Sequence, residues 1–269
     1  MYVFNVRVMT DHPLGETGCA SEIVGLFLRG LPERLRATHW GMGELGGSPL
    51  TGRTEADAVA AWMEQGIGIV LSRKLPPKYK AFFEWRKTKG LDPRPFPWGC
   101  QLYLTKAVRE DETVILLKEL VAVTRAAFGF AHPSDALMKK HYVTYEQPEL
   151  EITASKFVGA DVVETLPGIY WVTYFGPPSL ARFTIEKLRQ VSAKSLERFG
   201  EGYLLTLCEP LAPEREELER RAASVLGPRL FFDKATFDAS SLGITAEEAH
   251  QVQHAIEKKK AGKKDRSKR

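Results

Sequence analysis

The chain has 269 residues, 43% hydrophobic and 27% charged; this excludes a disordered or collagen-like protein and supplies enough apolar side chain for a sizeable core. Its three cysteines, Cys19, Cys100 and Cys208, are odd in number and far apart, which excludes a disulfide framework or a cysteine-rich zinc site. The net charge of +4 is uneven: residues 258–269 hold eight Lys or Arg and one Asp, so residues 1–257 carry −3.

Met1–Met9 reads as a strand by alternation of Tyr2, Phe4, Val6 and Val8 with Val3, Asn5 and Arg7. It lacks the charged start, apolar core and small-residue cleavage site of an export signal, so a cytoplasmic location is expected. No apolar run approaches the ~18 residues of a membrane-spanning helix. A helix is expected from Thr17 to about Arg36, with Ile23, Val24, Phe27, Leu28, Leu31 and Leu35 facing the core and Pro32 dividing it. A strand is read over Thr38–Leu45. Thr54 and Asp57 mark the cap of a helix over Glu55–Gln65. Short strands follow at residues 66–72 and 82–86.

Residues 90–99 (GLDPRPFPWG) form a proline-rich loop carrying Phe96 and Trp98. Cys100–Thr105 returns as a strand, and the apolar spacing predicts a helix over Asp111–Phe128. Tyr142–Tyr145 reads as a strand, followed by an acidic loop with Glu146, Glu149 and Glu151. Gly168–Gly176 reads as a central strand, because both alternating faces are large and apolar or aromatic. Ser179–Val191 reads as helix and Gly202–Cys208 as a second buried strand. Glu214–Leu226 reads as a charged helix opened by Pro213, and Ala246–Lys258 as a last helix before the basic tail.

Strands and helices mix without strict alternation, so the fold class is α+β: mainly antiparallel sheet with packed helices. The halves divide as 1–130 and 131–257, with related half-domains as an alternative, and 258–269 is a disordered basic tail.

Motifs for chemistry are sparse. Gly41-Met42-Gly43-Glu44-Leu45-Gly46 fits the dinucleotide pattern without its strand–helix context and is read as a loop. His250 and His254 stand at i, i+4, but Gln251 occupies the place of a metalloprotease glutamate, so no metal is assigned. Cys19 with His39, or Cys100 with His132, are conceivable thiol–imidazole pairs that no spacing selects. No catalytic residue and no cofactor are assigned. The best contact residues for a protein partner are Phe96 and Trp98, as rigid aromatic anchors, and Glu146, Glu149 and Glu151, as an acidic surface.

The run Leu166-Pro167-Gly168-Ile169-Tyr170-Trp171-Val172-Thr173-Tyr174-Phe175-Gly176-Pro177 resembles the bacterial type VI immunity family and the immunity protein 52 family. The helix through Glu186-Lys187-Leu188, the strand Gly202–Leu207 and Leu230-Phe231-Phe232-Asp233 extend the resemblance over about residues 160–233. It implies a non-enzymatic cytoplasmic protein that binds a toxin delivered by a neighbouring cell, often through type VI secretion, and blocks its active site. Relatives in the immunity protein 52 family pair with nuclease toxins. Two other readings stand beside it. One is an enzyme whose thiol or carboxylate site is not legible. The other is a nucleic-acid adaptor working through the basic tail.

Overall fold

In the computed structural model, residues 2–14, 16–41, 48–50, 54–65, 68–84, 98–147, 152–159 and 165–236 are described. The alternation at the N-terminus yields strand β1, Tyr2–Thr10. Phe4, Val6 and Val8 of β1 enter the main hydrophobic cluster, and Asn5, Arg7 and Met9 point to the opposite face. The next helix, α1 (Thr17–Gly25), is shorter than its apolar spacing suggests. It runs into one π turn, Leu26–Gly30, closed by the Leu31 N–H on the Leu26 carbonyl at 2.9 Å. Pro32 then holds the chain extended before a 3-10 turn at Glu33–Leu35. The core-facing set Ile23, Val24, Phe27, Leu31 and Leu35 is nonetheless buried.

Strands β2 (His39–Gly41) and β3 (Ser48–Pro49) precede helix α2 (Glu55–Gln65). Thr54 and Asp57 cap α2 reciprocally: Asp57 N–H donates to Thr54 Oγ1 at 3.2 Å and Thr54 N–H to Asp57 Oδ2 at 2.7 Å. Strands β4 (Gly68–Arg73), β5 (Tyr79–Glu84) and β6 (Trp98–Thr105) complete the first half.

Helix α3 (Glu110–Thr124) starts with a capping box in which Arg109 N–H donates to Glu112 Oε2 at 3.0 Å. It ends earlier than the sequence suggests. Arg125 turns left-handed (φ 48°, ψ 51°), and residues 128–133 become strand β7 (Phe128–Pro133), buried throughout. The expected helix therefore gives way to an interior strand. Helix α4 (Ser134–His141) follows, then β8 (Tyr142–Gln147) and β9 (Ile152–Phe157).

The aromatic run was expected as one strand over Gly168–Gly176, but only Val172–Phe175 forms it, as β10. The reason is local: Tyr170 N–H donates to Thr173 Oγ1 at 2.9 Å, which folds residues 170–173 into a turn before the strand begins. The expected helix after it splits into α5 (Pro177–Leu180) and α6 (Ile185–Arg189). Strand β11 (Ser195–Phe199), β12 (Gly202–Thr206) and helix α7 (Arg215–Leu226) close the described chain. Residues 246–258 and the basic tail lie outside the described residues.

The fold is α+β. Ten strands form one sheet in the order β11-β12-β10-β7-β1-β6-β5-β4-β2-β3, with neighbours antiparallel. The two halves of the chain meet in this sheet where β1 pairs with β7. Helices α1, α2 and α3 cover one face, and their side chains join those of β1, β4, β5, β6, β10 and β12 in one hydrophobic cluster. On the other face of the β7–β10 region, Phe128, Phe130 and Phe175 pack together, and Phe183 meets Phe175 edge-on at 5.1 Å.

The chain divides into two compact units: residues 1–139 with 159–232, and residues 140–158 with 233–269. In the second, β8 and β9 pair antiparallel from Tyr142↔Phe157 to Gln147↔Ile152. The Val158 N–H donates to the His141 carbonyl at 2.9 Å, and His141 Nδ1 lies 2.8 Å from the Val158 carbonyl. Since a carbonyl only accepts, Nδ1 carries the proton there. Among the described residues, no helix is long and apolar enough to cross a membrane.

Candidate functional site

Alternation on the sheet sends polar side chains to the face away from α1–α3. Register aligns His132, Asn5, Tyr103, Lys80 and Ser72 across β7, β1, β6, β5 and β4. The next row places Phe130, Arg7, Gln101, Phe82 and Val70 side by side. Gln101 Nε2 donates to Asn5 Oδ1 at 3.3 Å. Asn5, Ser72 and His132 are buried; Asn5 and His132 are hydrogen-bonded there, whereas the Ser72 hydroxyl has no partner among the described residues.

At one end of the band lies a buried ionisable cluster. Helix α7 supplies Arg215 and Glu219 one turn apart, with Arg215 Nε 3.5 Å from Glu219 Oε1. Glu219 Oε1 is 3.6 Å from His132 Nδ1. The same nitrogen accepts the Trp171 N–H at 3.3 Å, so the ring is the Nε2–H tautomer. Tyr170 meets His132 edge-on at 5.2 Å and stacks on Phe130 at 3.9 Å. Burial pushes the Tyr170 phenol well above its ordinary range; the Arg7 charge opposes this and Glu219 adds to it. The phenol is therefore neutral at physiological pH. His132 is 1% exposed. The cluster joins β7, the Tyr170–Trp171 turn and α7.

A second place opens to the surface. A recess of about 800 Å³ at the end of the sheet is bounded by Asp11, His12, Arg125, Tyr174, Pro177, Pro178, Phe199 and Glu201. A smaller one of about 210 Å³ shares His12 and Arg125 and is walled by Glu16, Cys19 and Glu22. The first follows from chain geometry: β10 runs into Gly176-Pro177-Pro178, α3 ends at Arg125, and the β11–β12 turn passes through Gly200 and Glu201. Arg125 is the non-glycine residue with positive φ among the described residues. Its N–H reaches the Val121 and Ala122 carbonyls, which is how the helix terminates. Glycine would hold that conformation without the Cβ clash. Arg125→Gly is expected to raise stability by about 0.5–1 kcal/mol in urea denaturation, the left-handed strain relieved exceeding the backbone entropy added.

The thiols are poor nucleophiles. Burial, then Glu22, raise the Cys19 pKa to about 11, with Arg125 opposing and Glu16 adding. Burial alone pushes Cys100 well above its ordinary value. Cys19 is half-buried, with Sγ 3.9 Å from the Val123 carbonyl. His39 sits instead on β2, with Nδ1 2.9 Å from Thr38 Oγ1. Cys100 faces the helices within the hydrophobic cluster, whereas His132 lies on the opposite sheet face. The conceivable Cys100–His132 pair is thus separated by the sheet itself. Alkylation of Cys19 by iodoacetamide is expected to rise about tenfold per pH unit from pH 7 to 10, without a plateau near pH 8.5. A plateau at pH 8–9 would show an ordinary, exposed thiol.

Of the sequence-derived contact residues, Trp98 opens β6 opposite Thr10 and Glu146 lies in β8 opposite Thr153. Their side chains, and Phe96, Glu149 and Glu151 entirely, lie outside the described residues. So do His250, His254 and Met42–Gly46. Sequence reasoning missed the recess because Asp11, Arg125, Tyr174, Phe199 and Glu201 come from distant segments. The legible signals were Phe175-Gly176-Pro177-Pro178, a strand forced to stop, and the turn at Gly200. No protein-family model matches the chain, and no curated protein matches it.

Proposed function

We propose that this chain is an immunity-type binding protein, which neutralises a toxin by occluding its working surface. The observation that carries the reading is the position of Leu166–Pro177, the run that resembles the type VI immunity family. Leu166, Ile169, Tyr170, Trp171, Val172 and Phe175 are buried, so that part of the run builds the fold. Its other end, Pro177, stands exposed with the following Pro178 at the open recess beside Arg125, with the nearly buried Tyr174 behind them. The same stretch thus shapes the core and presents a rigid surface, as a binding scaffold requires. Prolines and an aromatic ring lose little entropy on association, which favours them as contact residues.

The test is co-expression with the toxin encoded beside this chain's gene. Protection of growth, with recovery of a complex of the two proteins, is the expected result. Unprotected growth, together with no complex at micromolar concentrations, would defeat the reading.

A further inference from the structure

We propose that the two adjoining recesses that share His12 and Arg125 dock a protein partner that inserts a segment carrying lysine or arginine. This rests on the binding-protein reading and specifies the chemistry its partner must present. The large recess has apolar walls, with Tyr174 and Phe199 edge-on at 6.3 Å and Pro177 and Pro178 opposite the end of α3. Such walls suit the methylene stem of a long basic side chain and, through the rings, its charge.

The charges select the occupant. Asp11 and Glu201 stand at the large recess, and Glu16 and Glu22 at the small one, against Arg125 and His12. Among the described residues Glu16, Glu22 and Glu201 enter no ion pair, and Asp11 meets only His12, at 4.0 Å. Two groups in the walls, each raised first by burial, also feel these carboxylates. Glu22 and Glu16 help raise the Cys19 thiol, and Glu201 adds to the burial that raises the Tyr174 phenol. Phe199 already holds a cation of this chain: Lys118 Nζ lies 5.5 Å from its ring centroid and 2.5 Å from Glu197. Aromatic ring, cation and carboxylate are therefore combined once at the recess edge, and the half-buried Phe199 ring with the exposed Glu201 offers the same grouping to an incoming side chain. Arg125, between the two carboxylate sets, enters no ion pair among the described residues, and its guanidinium suits the main-chain carbonyls of the inserted segment.

The test uses the full chain and the peptide acetyl-Gly-Arg-Gly-Arg-Gly-amide, with a citrulline version as the uncharged counterpart. Amide NMR shifts at low salt are expected to cluster around residues 11–22, 125–127 and 199–201 for the arginine peptide only. The triple variant Glu16→Gln, Glu22→Gln, Glu201→Gln should weaken binding at least fivefold with an unchanged melting temperature. The control Glu33→Gln, Glu186→Gln, Glu216→Gln, which removes equal charge from exposed positions elsewhere, should change it less than twofold. Shifts centred elsewhere, equal losses in both triples, or equal binding of the citrulline peptide would overturn the proposal. So would concentration-dependent self-association abolished by the first triple, which would make the occupant a second copy of this chain. In co-expression, a wild type that protects while the first triple protects equally would sink this surface and leave the immunity reading standing. A peptide that maps to the recess while the wild type fails to protect would do the reverse.

Discussion

Trp171→Ala is expected to cost about 3–5 kcal/mol, measured as the shift in the urea midpoint at constant m-value. The indole is almost fully buried, and its ring lies 5.4 Å from Phe4 across the helix-covered face. Its Nε1 donates to the Cys208 carbonyl at 3.1 Å, its backbone N–H to His132, and its carbonyl accepts from Leu207 N–H at 3.0 Å. Removing the ring opens a cavity and strands a buried carbonyl, and the two penalties add. Since domains of this kind are stable by only about 5–15 kcal/mol, much of the native margin would go. Trp171→Phe keeps most of the packing and loses the indole hydrogen bond, so about 1–2 kcal/mol is expected. A cost below about 1 kcal/mol for the alanine variant would show that Trp171 does not anchor the fold.

Gly176→Ala is the second large effect, about 2–3 kcal/mol. A Cβ there would stand 2.5 Å from the Ala126 carbonyl oxygen and 2.9 Å from that of Ala127. Both obstacles are backbone, so neither rotates away. The backbone angles of Gly176 (φ −76°, ψ 174°) suit any residue, which makes the penalty steric rather than conformational. The Gly176 N–H also donates to the Ala127 carbonyl at 3.0 Å, tying the start of α5 to the end of α3. The variant should therefore loosen the recess as well as the fold. Gly18→Ala is the matched contrast: nothing lies within 4 Å of its Cβ position in α1. Helix propensity should then stabilise that variant by about 0.5–1 kcal/mol. Equal effects from the two substitutions would contradict the close approach at Gly176.

These two positions show what was legible and what was not. Local chemistry read well. The reciprocal Thr54–Asp57 cap placed α2 at Glu55–Gln65, and alternation placed β1 within a residue of its observed end. Strand β7 was hidden because both its faces are buried, so Phe128-Gly-Phe-Ala-His-Pro shows no alternation and continues the apolar spacing of α3. What ends the helix is Arg125, a residue type that gives no stop signal. The strand at residues 172–175 was read as twice its length, because a Thr173 side-chain hydrogen bond that breaks it leaves no mark in hydropathy. The Arg215–Glu219 pair gave no signal of its own within the charged helix expected over Glu214–Leu226, although Glu219 is buried. Its partner His132 is more than eighty positions earlier in the chain, and only the sheet brings them together.

The most direct measurement is a titration, with this chain, of the purified toxin that the proposed function expects beside its gene, reading toxin activity. A binding protein that occludes its target predicts a linear fall to complete inhibition at one equivalent, with no turnover of the toxin. Trp171→Phe should inhibit like the wild type while folded, and Gly176→Ala should weaken inhibition beyond its loss of folded fraction. Undiminished activity at tenfold excess of folded protein, or inactivation that continues at substoichiometric amounts, would contradict the account.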